Sequence, residues 1–395
     1  MGTAAPLPPL VEPAAELSGE EVARYSRHLI IPDLGVAGQK RLKNARVLVV
    51  GAGGLGSPAL LYLAAAGVGT IGIVEDDAVE ESNLQRQIIH GEADVGRSKA
   101  HSAAESIRRL NRFVSTRLHE FRLTADNALG LFADYDLVID GSDNFATRYL
   151  VNDAAVLAGQ PYVWGSVFRF EGQVSVFWED APDDRGVNYR DVFPEPPLPG
   201  TVPSCAEGGV LGVLCASIGA VMATEAVKLI TGIGDSLLGR LMIYDALAMT
   251  YRTISIRKDP EAPKVNALSD YERFCGLPVG EPRAASAITP VELRDLLSAG
   301  TVDLIDVREP AEWAINRIGG ARLVPKSALD SGAGVSGIPR DRAVVLYCKT
   351  GIRSAVVAAT LKEAGVSGVR PLGGGVAARA RHDADAALAA ADATG

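Results

Sequence analysis

Cysteine is scarce in this chain. Its four cysteines, Cys205, Cys215, Cys275 and Cys348, are spread over 395 residues without the spacing of a disulfide framework. A fold stapled by disulfides is therefore excluded, and free thiols are typical of a reducing compartment. We expect a cytoplasmic protein.

Basic residues are in deficit as well. The 39 lysines and arginines are outnumbered by 48 aspartates and glutamates, which gives a formal net charge of −9. Nucleic-acid binding depends on a basic face that neutralises phosphates, so no nucleic-acid partner is expected.

Long apolar segments are missing too. The longest uncharged apolar stretch, residues 208–224, is shorter than the roughly 20 residues that span a bilayer. It predicts a buried core helix, and no membrane partner is expected. Residues 1–16 are rich in proline and alanine and lack the basic start and apolar core of a signal peptide, so they predict a flexible arm.

What the chain does have is the composition of a globular protein, 47 % hydrophobic and 22 % charged, at a length that suggests two domains. From residue 45, short apolar runs alternate with longer amphipathic ones. This pattern predicts an α/β fold: a Rossmann-like mixed sheet with helices on both faces, to which residues 162–180 add an antiparallel hairpin.

The alternation stops at residues 261–286, which carry proline, glycine and polar residues without periodicity and predict a linker. A shorter alternation follows and predicts a second, smaller α/β domain. The predicted boundaries are 17–260 for the first domain and 287–390 for the second.

The loop "GAGGLG" places Gly51, Gly53, Gly54 and Gly56 between an apolar strand and a helix. In that context the backbone can approach a phosphate at the helix N-terminus. One interpretation is NAD binding, in which Glu75, at the end of the second strand, holds a ribose hydroxyl.

The polar residues that follow favour nucleotidyl transfer. Residues 75–100 supply Asn83, Gln87 and two cations, Arg86 and Lys99. A dehydrogenase has no need of fixed cations there, whereas nucleotidyl transfer must neutralise a triphosphate and the charge that develops at the α-phosphorus.

Carboxylates follow a later strand. "VIDGSDNFATR" places Asp140 and Asp143 at its carboxyl end, where ligands of open α/β sheets bind. A carboxylate at that position can hold the Mg²⁺ that bridges phosphate oxygens.

In combination, "GAGGLGS", "SNLQRQ", "DGSDNFATR" and "VPSCAEGGVLG" resemble the ubiquitin-activating superfamily, in particular its ThiF-like MoeB/MoeZ type, over residues 17–260. The resemblance implies ATP and Mg²⁺ as cofactors, with Asp143 on the metal and with Arg86 and Lys99 in catalytic positions. Glu75 stands where the family usually has aspartate, which lengthens the arm to the ribose but keeps the acceptor. The residues implied to contact ATP are Gly51, Gly53, Gly54, Gly56, Glu75, Asp77, Ser82, Asn83, Leu84, Gln85, Arg86, Lys99, Asp143 and Asn144.

The activity that this resemblance implies is adenylation of a small ubiquitin-like sulfur-carrier protein at its C-terminal Gly-Gly carboxylate. MoaD, ThiS or CysO-like carriers are the expected partners. Adenylation turns a carboxylate oxygen into a good leaving group, which sulfur can then displace. Arg27 matches a family arginine that reaches the ATP of a neighbouring subunit, so a homodimer is implied; the alternative for Arg27 is an exposed helix face.

Members of the family commonly hold a structural zinc with two Cys-x-x-Cys pairs. The matching positions here are Asn188 with Asp191 and Ala262 with Val265. No soft ligand remains for Zn²⁺, so no structural zinc is expected. Packing around residues 193–200 is expected to hold these loops.

Cys348 opens the loop "CKTGIR" between a strand and a helix. Inward backbone N–H groups and the helix dipole can stabilise a thiolate or persulfide there without a histidine, and Arg353 adds positive charge. With "LIDVREPAEW" and "PLGGGVAAR", the loop resembles a rhodanese over about residues 287–380. The resemblance implies a sulfurtransferase that takes sulfur from thiosulfate or a persulfide donor. This hypothesis needs an accessible thiol; the alternative is a buried, inert one.

Two other cysteines have weaker signals. Cys205 lies in a proline-flanked loop; eukaryotic relatives have a reactive cysteine there that meets the adenylated carrier, and the alternative is a packing role. Cys215, inside an apolar run, is predicted to be core.

The sequence thus predicts a bifunctional enzyme. The first domain adenylates the carrier, and the second delivers persulfide sulfur from Cys348 to give a thiocarboxylate and AMP. Two alternatives stay open: a Rossmann NAD(H) oxidoreductase fused to a sulfur-carrying domain, and a non-catalytic scaffold that docks carriers.

Overall fold

The computed structural model describes residues 6–13, 16–197, 208–276, 287–366 and 368–379. These residues form two compact units. The first runs to Pro196 and resumes at Gly208 to end at Cys275, and the second holds the described residues from Gly276 onward. Cys205 and its predicted role lie outside the described residues.

The first unit is built on an eight-stranded sheet in the order β3-β2-β1-β4-β5-β6-β7-β8. Neighbouring strands run parallel from β3 to β5 and antiparallel from β5 to β8. This arrangement confirms the predicted mixed sheet with its antiparallel hairpin. The strands are β1 (Arg46–Val50), β2 (Thr70–Val74), β3 (Ser115–His119), β4 (Leu137–Asp140), β5 (Tyr162–Phe168), β6 (Glu171–Phe177), β7 (Arg240–Asp245) and β8 (Thr250–Ser255).

The helices of this unit pack on the sheet. In the described residues they are α1 (Gly19–Arg24), α2 (Ser26–Leu29), α3 (Gly35–Asn44), α4 (Gly56–Ala66), α5 (Lys99–Leu110), α6 (Ala128–Phe132), α7 (Phe145–Ala158), α8 (Gly212–Thr231) and α9 (Tyr271–Phe274). By length and composition α8 could cross a membrane, but 56 % of its apolar window is buried. It packs against α4, β5 and β6, so the predicted core helix is confirmed.

The N-terminal segment predicted as a flexible arm packs on the first unit. Leu7 and Val11 are buried, and the backbone N–H of Leu10 donates to the carbonyl of Leu229 at 3.0 Å. Two apolar residues four positions apart thus attach this segment to the end of α8, so a free arm is the wrong description of residues 7–11.

The segment predicted as a linker also has order at its centre. Residues 271–274 form α9, which packs against α7. The Tyr271 hydroxyl donates to Asp153 at 2.8 Å, and Asp153 also accepts two bonds from Arg190, at 2.9 and 2.8 Å. Cys275 is buried beside this cluster, which ends the first unit.

The second unit is a smaller α/β domain with a parallel sheet in the order β10-β9-β11-β12, as predicted. Its strands are β9 (Val302–Asp306), β10 (Arg322–Leu323), β11 (Ala343–Tyr347) and β12 (Val369–Pro371), and its helices in the described residues are α10 (Pro290–Ser298), α11 (Pro310–Ile315), α12 (Lys326–Asp330) and α13 (Ile352–Glu363). The apolar runs that predict β9 and β11 supply its buried centre.

Candidate functional site

The glycine turn lies where the order of the first sheet reverses. The strand β1 has β2 on one side and β4 on the other, both parallel to it. Their carboxyl ends therefore meet at one edge, which is the position at which open α/β sheets bind ligands.

Close packing explains why this turn requires glycine. A Cβ built on Gly56 would lie 1.9 Å from the carbonyl oxygen of Gly51. With glycine at these positions the chain can turn directly from β1 into α4, an eleven-residue helix. Such a helix N-terminus favours bound anions.

The peptide groups of Ala52, in the middle of the turn, are held from both sides. Its N–H donates to Glu75 Oε2 at 2.9 Å, and its carbonyl oxygen accepts a bond from His90 Nε2 at 3.1 Å. His90 Nδ1 in turn contacts the hydroxyl of Ser102 at 2.8 Å. Burial raises the pKa of Glu75, against the charge of Lys99 and the N–H bonds from Ala52 and Asp77, which lower it.

A cavity of about 380 Å³ opens over this turn. It brings together most of the residues that the sequence predicts for ATP. Those that line it are Gly51, Gly53, Gly54, Glu75, Asp77, Arg86, Lys99, Asp143 and Asn144. Residues from segments about 90 positions apart, Gly51 to Asn144, thus line one cavity.

The remaining predicted residues have other positions. Asn83 is buried and its Oδ1 accepts from the N–H of Glu80 at 3.2 Å. The carbonyl of Ser82 accepts a bond from Arg86 Nη1 at 2.9 Å. The segment Ser82–Gln85 does not itself line the cavity, but it positions Arg86, which does. Arg27 is exposed on α2.

Cations line one wall of the cavity. The ammonium group of Lys99, in the first turn of α5, is buried and lies 2.9 Å from Asp77 Oδ2. Two further cations that were not assigned from the sequence also line the cavity: Arg122, and Arg148 of the quoted segment "DGSDNFATR". Arg148 is buried, and its guanidinium lies 5.7 Å from the centre of the Trp164 ring.

The two predicted carboxylates differ in access. Asp140 is fully buried, accepts the N–H of Ser142 at 2.9 Å, and has its pKa raised by burial. Asp143 is exposed and lines the cavity. Of these two, only Asp143 therefore offers an accessible carboxylate to a cation there, and the exposed carboxylates of Asp76 and Asp77 line the same cavity.

Cys215 is buried in α8, as predicted for a core residue. It also lines the cavity, which periodicity cannot indicate. Its Sγ lies so near the turn that a Cβ built on Gly54 would be 2.9 Å away.

Polar contacts connect the loops that carry the zinc ligands of other family members. Lys258 pairs with Glu179, and its Nζ lies 3.6 Å from Asp191 Oδ2. Asn188 Nδ2 donates to Glu179 at 2.7 Å. The expectation of packing around residues 193–200 did not include this cluster, and residues 198–200 lie outside the described part of the chain.

The loop after β11 orients its peptide groups around Cys348. The carbonyls of Cys348 and Lys349 accept bonds from the N–H groups of Val376 and Ala377, at 2.9 and 3.1 Å, and the N–H of Gly351 donates to Cys348 Sγ at 3.1 Å. The carbonyls thus face the residues after β12 while an N–H points to sulfur, as the sequence predicts for an anion-stabilising loop.

The expectation of an accessible thiol is not met. Cys348 is fully buried and packs in the cluster that contains Leu346, Val357 and Val369. The physical reason is its place directly after the buried strand β11, where its side chain turns into the core. The thiol is therefore buried, as the hypothesis of an inert cysteine requires. The N–H bond from Gly351 to its sulfur supports the hypothesis of a reactive cysteine.

Arg353 lies in the first turn of α13 and is paired within the second unit. Its Nη1 and Nη2 donate to the two carboxylate oxygens of Glu312 on α11, at 2.8 and 2.7 Å. Although burial raises the pKa of Glu312, the hydrogen bonds from Arg353 bring it below its usual value. The sequence predicts that Arg353 adds charge to the loop, and no local pattern indicates its pairing with Glu312.

Family models match both units. A model of the ThiF family matches residues 25–264, and a model of the rhodanese-like domain matches residues 289–381. The probable adenylyltransferase/sulfurtransferase MoeZ of Mycobacterium tuberculosis is 68 % identical over 95 % of this chain and 97 % of its own length. The adenylyltransferase and sulfurtransferase MOCS3 of Mus musculus is 46 % identical, over 82 % of this chain and 73 % of its own.

A third relative, the sulfur carrier protein adenylyltransferase of Thermus thermophilus, is 52 % identical over 65 % of this chain and 98 % of its own. The solved structure of E. coli MccB with MccA-N7isoASN has a TM-score of 0.54 at 20 % identity, covering 60 % of this chain and 73 % of that one, and it supports the fold alone. Because the family model spans more than half of the chain, the chain belongs to the ThiF family, as an enzyme that joins an adenylyltransferase to a rhodanese-like sulfurtransferase domain.

Proposed function

We propose that this enzyme uses MgATP to adenylate the C-terminal Gly-Gly carboxylate of a ubiquitin-like sulfur carrier, of the MoaD, ThiS or CysO-like kind, and then converts it to a thiocarboxylate with sulfur from Cys348. The strongest support for the first step, adenylation, is the lining of one cavity. A single cavity joins an anion-binding glycine turn to an acceptor for ribose, Glu75, and to cations such as Arg86 and Lys99.

In the first step the carrier carboxylate attacks the α-phosphorus of ATP and pyrophosphate leaves. Glu75 holds the ribose, and the positive end of the α4 dipole lies toward the phosphates. Arg86 and Lys99 neutralise the charge that grows in the transition state, which is the main contribution a protein makes to such transfers.

The exposed carboxylate of Asp143 fits a hard cation, because oxygen ligands of this kind are those that Mg²⁺ prefers. When bound there, Mg²⁺ would supply neutralisation of the phosphate charge. An NAD(H) oxidoreductase is not favoured, since it gives no role to the cations that line the cavity.

In the second step the terminal sulfur of a Cys348 persulfide attacks the carbonyl carbon of the acyl-adenylate. The carbon–oxygen bond to AMP breaks, and an acyl disulfide forms. A second thiol then cleaves its S–S bond, which releases the thiocarboxylate and leaves a disulfide for later reduction. Cys205 is the candidate thiol on this chain.

The sulfur comes from thiosulfate or a persulfide donor. Because Cys348 is fully buried, the loop must open for the thiolate to attack a donor. Once formed, a persulfide extends the reactive atom outward by an S–S bond length, about 2 Å. We further propose a cytoplasmic homodimer in which Arg27 of each subunit reaches the nucleotide of the other; its exposure on α2 leaves it available for that.

The test is intact mass spectrometry of each Gly-Gly carrier after incubation with enzyme, ATP, a thiol reductant and thiosulfate or a cysteine persulfide. Cys348→Ala is expected to retain carrier-dependent pyrophosphate exchange and to form no thiocarboxylate. Asp143→Ala is expected to lose both. Full thiocarboxylation by Cys348→Ala would show that the sulfur does not pass through this residue.

A further inference from the structure

The guanidinium of Arg353 is already occupied by a carboxylate. Both of its terminal nitrogens bind Glu312, at 2.8 and 2.7 Å, and the side chains are only 8 % and 12 % exposed. Bidentate, charge-assisted pairs of this geometry are the strong ones, and partial burial reduces their screening by solvent. The loop arginine that would attract an anionic sulfur donor is therefore neutralised from within its own domain.

Two further cations, Arg308 and Lys349, lie in or beside this loop. Arg308 forms its own bidentate pair with Asp306, at 2.7 to 3.0 Å, and is buried. Lys349, at the second position of the loop, is half-buried and attracts any anion. An anion that approaches Arg353 meets the negative charge of Glu312 as well, and this repulsion is larger for a dianion than for a monoanion.

We propose that Glu312 is a specificity-determining residue for the sulfur donor of Cys348, and that by holding Arg353 it selects against dianionic donors and in favour of donors with one negative charge or none at the sulfur. The inference rests on the proposed sulfur transfer at Cys348. It makes thiosulfate a poor donor and the persulfide group of a partner protein a good one.

Monoanionic thiosulfonates and dianionic thiosulfate transfer sulfur to Cys348 by the same reaction. The Cys348 thiolate attacks the outer sulfur of R–SO₂–S⁻; a new S–S bond forms at cysteine, the S–SO₂R bond breaks, and the sulfinate leaves with the electron pair. Thiosulfate reacts in the same way and releases sulfite. Cyanide then removes the outer sulfur as thiocyanate and regenerates the thiolate, so no further oxidant or reductant is needed.

Two small donors of different charge test the proposal on the full-length chain. Thiosulfate is a dianion and methanethiosulfonate a monoanion, and both are read out as thiocyanate with cyanide as acceptor. For the wild type, kcat/KM is expected to be higher with methanethiosulfonate. Glu312→Gln is expected to raise kcat/KM for thiosulfate about tenfold, mainly through a lower KM, and that for methanethiosulfonate less than about threefold.

Glu309→Gln is the matched control. It removes the same charge from the residue before α11, where the Glu309 carboxylate accepts bonds from Ser327 instead of Arg353. It is expected to leave the ratio of the two donors at the wild-type value. Glu312→Ser, which also removes the carboxylate, is measured beside Glu312→Gln. If only one of the two variants folds, its ratio of kcat/KM for the two donors tests the proposal.

An unchanged donor ratio in the Glu312 variants, with sulfur transfer intact, overturns the selectivity and leaves the proposed function standing. A Glu309→Gln variant with the same change as Glu312→Gln overturns it too, because net charge alone would then explain the effect. If the wild type forms no thiocyanate from either donor, the proposed sulfur transfer fails and this inference falls with it.

Discussion

A carboxylate oxygen of Glu75 accepts the backbone N–H of Ala52 at 2.9 Å, so the residue that we propose holds the ribose also fixes the glycine turn. The family's usual aspartate is one methylene shorter, and here the longer side chain reaches both Ala52 and the N–H of Asp77, at 3.1 Å. Glutamate in place of aspartate therefore does more than lengthen the side chain, because its carboxylate also binds two backbone N–H groups.

The first prediction follows from this double role. Glu75→Gln keeps the length of the side chain but removes its charge and one set of acceptor lone pairs, so both the turn and the ribose contact weaken. The KM for ATP is expected to rise about tenfold, which corresponds to ~1.4 kcal/mol, in a pyrophosphate-exchange assay with carrier. Glu105→Gln removes the same charge from the outer face of α5 and should leave the KM within about twofold; an equal rise there would point to net charge instead.

The second prediction concerns pH and His90. Burial lowers the pKa of His90 below the usual value of 6.5, so the folded state resists a proton that the unfolded state accepts. The contribution of His90 to the free energy of unfolding is therefore expected to be constant above pH 6.5 and to fall as the pH drops through 6.5. In His90→Gln the amide can still donate to the Ala52 carbonyl, and this part of the slope should disappear.

Urea unfolding at a series of pH values measures this dependence of the free energy of unfolding on pH. His101→Gln alters an exposed side chain on α5 and is expected to keep the wild-type slope. A His90→Gln variant with the full wild-type slope would remove His90 from the explanation.

Local patterns predicted the fold where burial is continuous. The run after Arg46 is apolar and buried throughout, and α8 is apolar over its length, so their types were evident. The strand β3 was not assigned from the sequence, because its five residues include a single apolar side chain, Leu118, and are exposed or half-buried at the sheet edge. The helix α7 was not assigned from the sequence; Asn144, predicted as an ATP contact, caps it by accepting the N–H of Thr147 at its Oδ1, at 2.9 Å.

The site was predicted where a motif carries its residues and missed where contacts are distant in sequence. The glycine turn and Lys99 belong to recognisable segments. The hydrogen bond from His90 to Ala52 spans 38 residues and that between Arg353 and Glu312 spans 41, and nothing local to either residue indicates its partner. Burial of Cys348 is likewise a property of the packed domain, since its flanking residues were compatible with both interpretations.

A third prediction addresses the buried ion pair between Arg190 and Asp153. The side chain of Asp153 is 4 % exposed and that of Arg190 is 19 % exposed, and the Arg190 guanidinium also lies 4.9 Å from the Phe274 ring centre. Arg190→Leu leaves a buried carboxylate without its cation, which is expected to lower the free energy of unfolding by about 3 kcal/mol. Urea unfolding followed by tryptophan fluorescence measures this, because Trp164 and Trp178 belong to the first unit.

Arg112 gives the matched comparison in the same unit. It pairs with Glu20 at 2.7 Å, but both side chains are about two-thirds exposed, at 65 % and 69 %. Arg112→Leu is expected to change the free energy of unfolding by less than about 1 kcal/mol. Similar losses in the two variants would show that burial does not distinguish these pairs.

The last prediction separates the two activities through a pair of glycines near Cys348. A Cβ built on Gly375 would lie 2.3 Å from the carbonyl oxygen of Cys348, and Gly375 has a φ of +59°. Gly375→Ala must therefore displace the loop whose peptide groups face the sulfur, and sulfur transfer to cyanide is expected to fall more than about tenfold. At Gly373 the nearest atom would be 3.4 Å away, an ordinary contact, so Gly373→Ala is expected to keep sulfur transfer within about twofold. Both variants should retain carrier-dependent pyrophosphate exchange, because that chemistry belongs to the first unit; a Gly375→Ala enzyme with normal sulfur transfer would contradict the role assigned to the loop geometry.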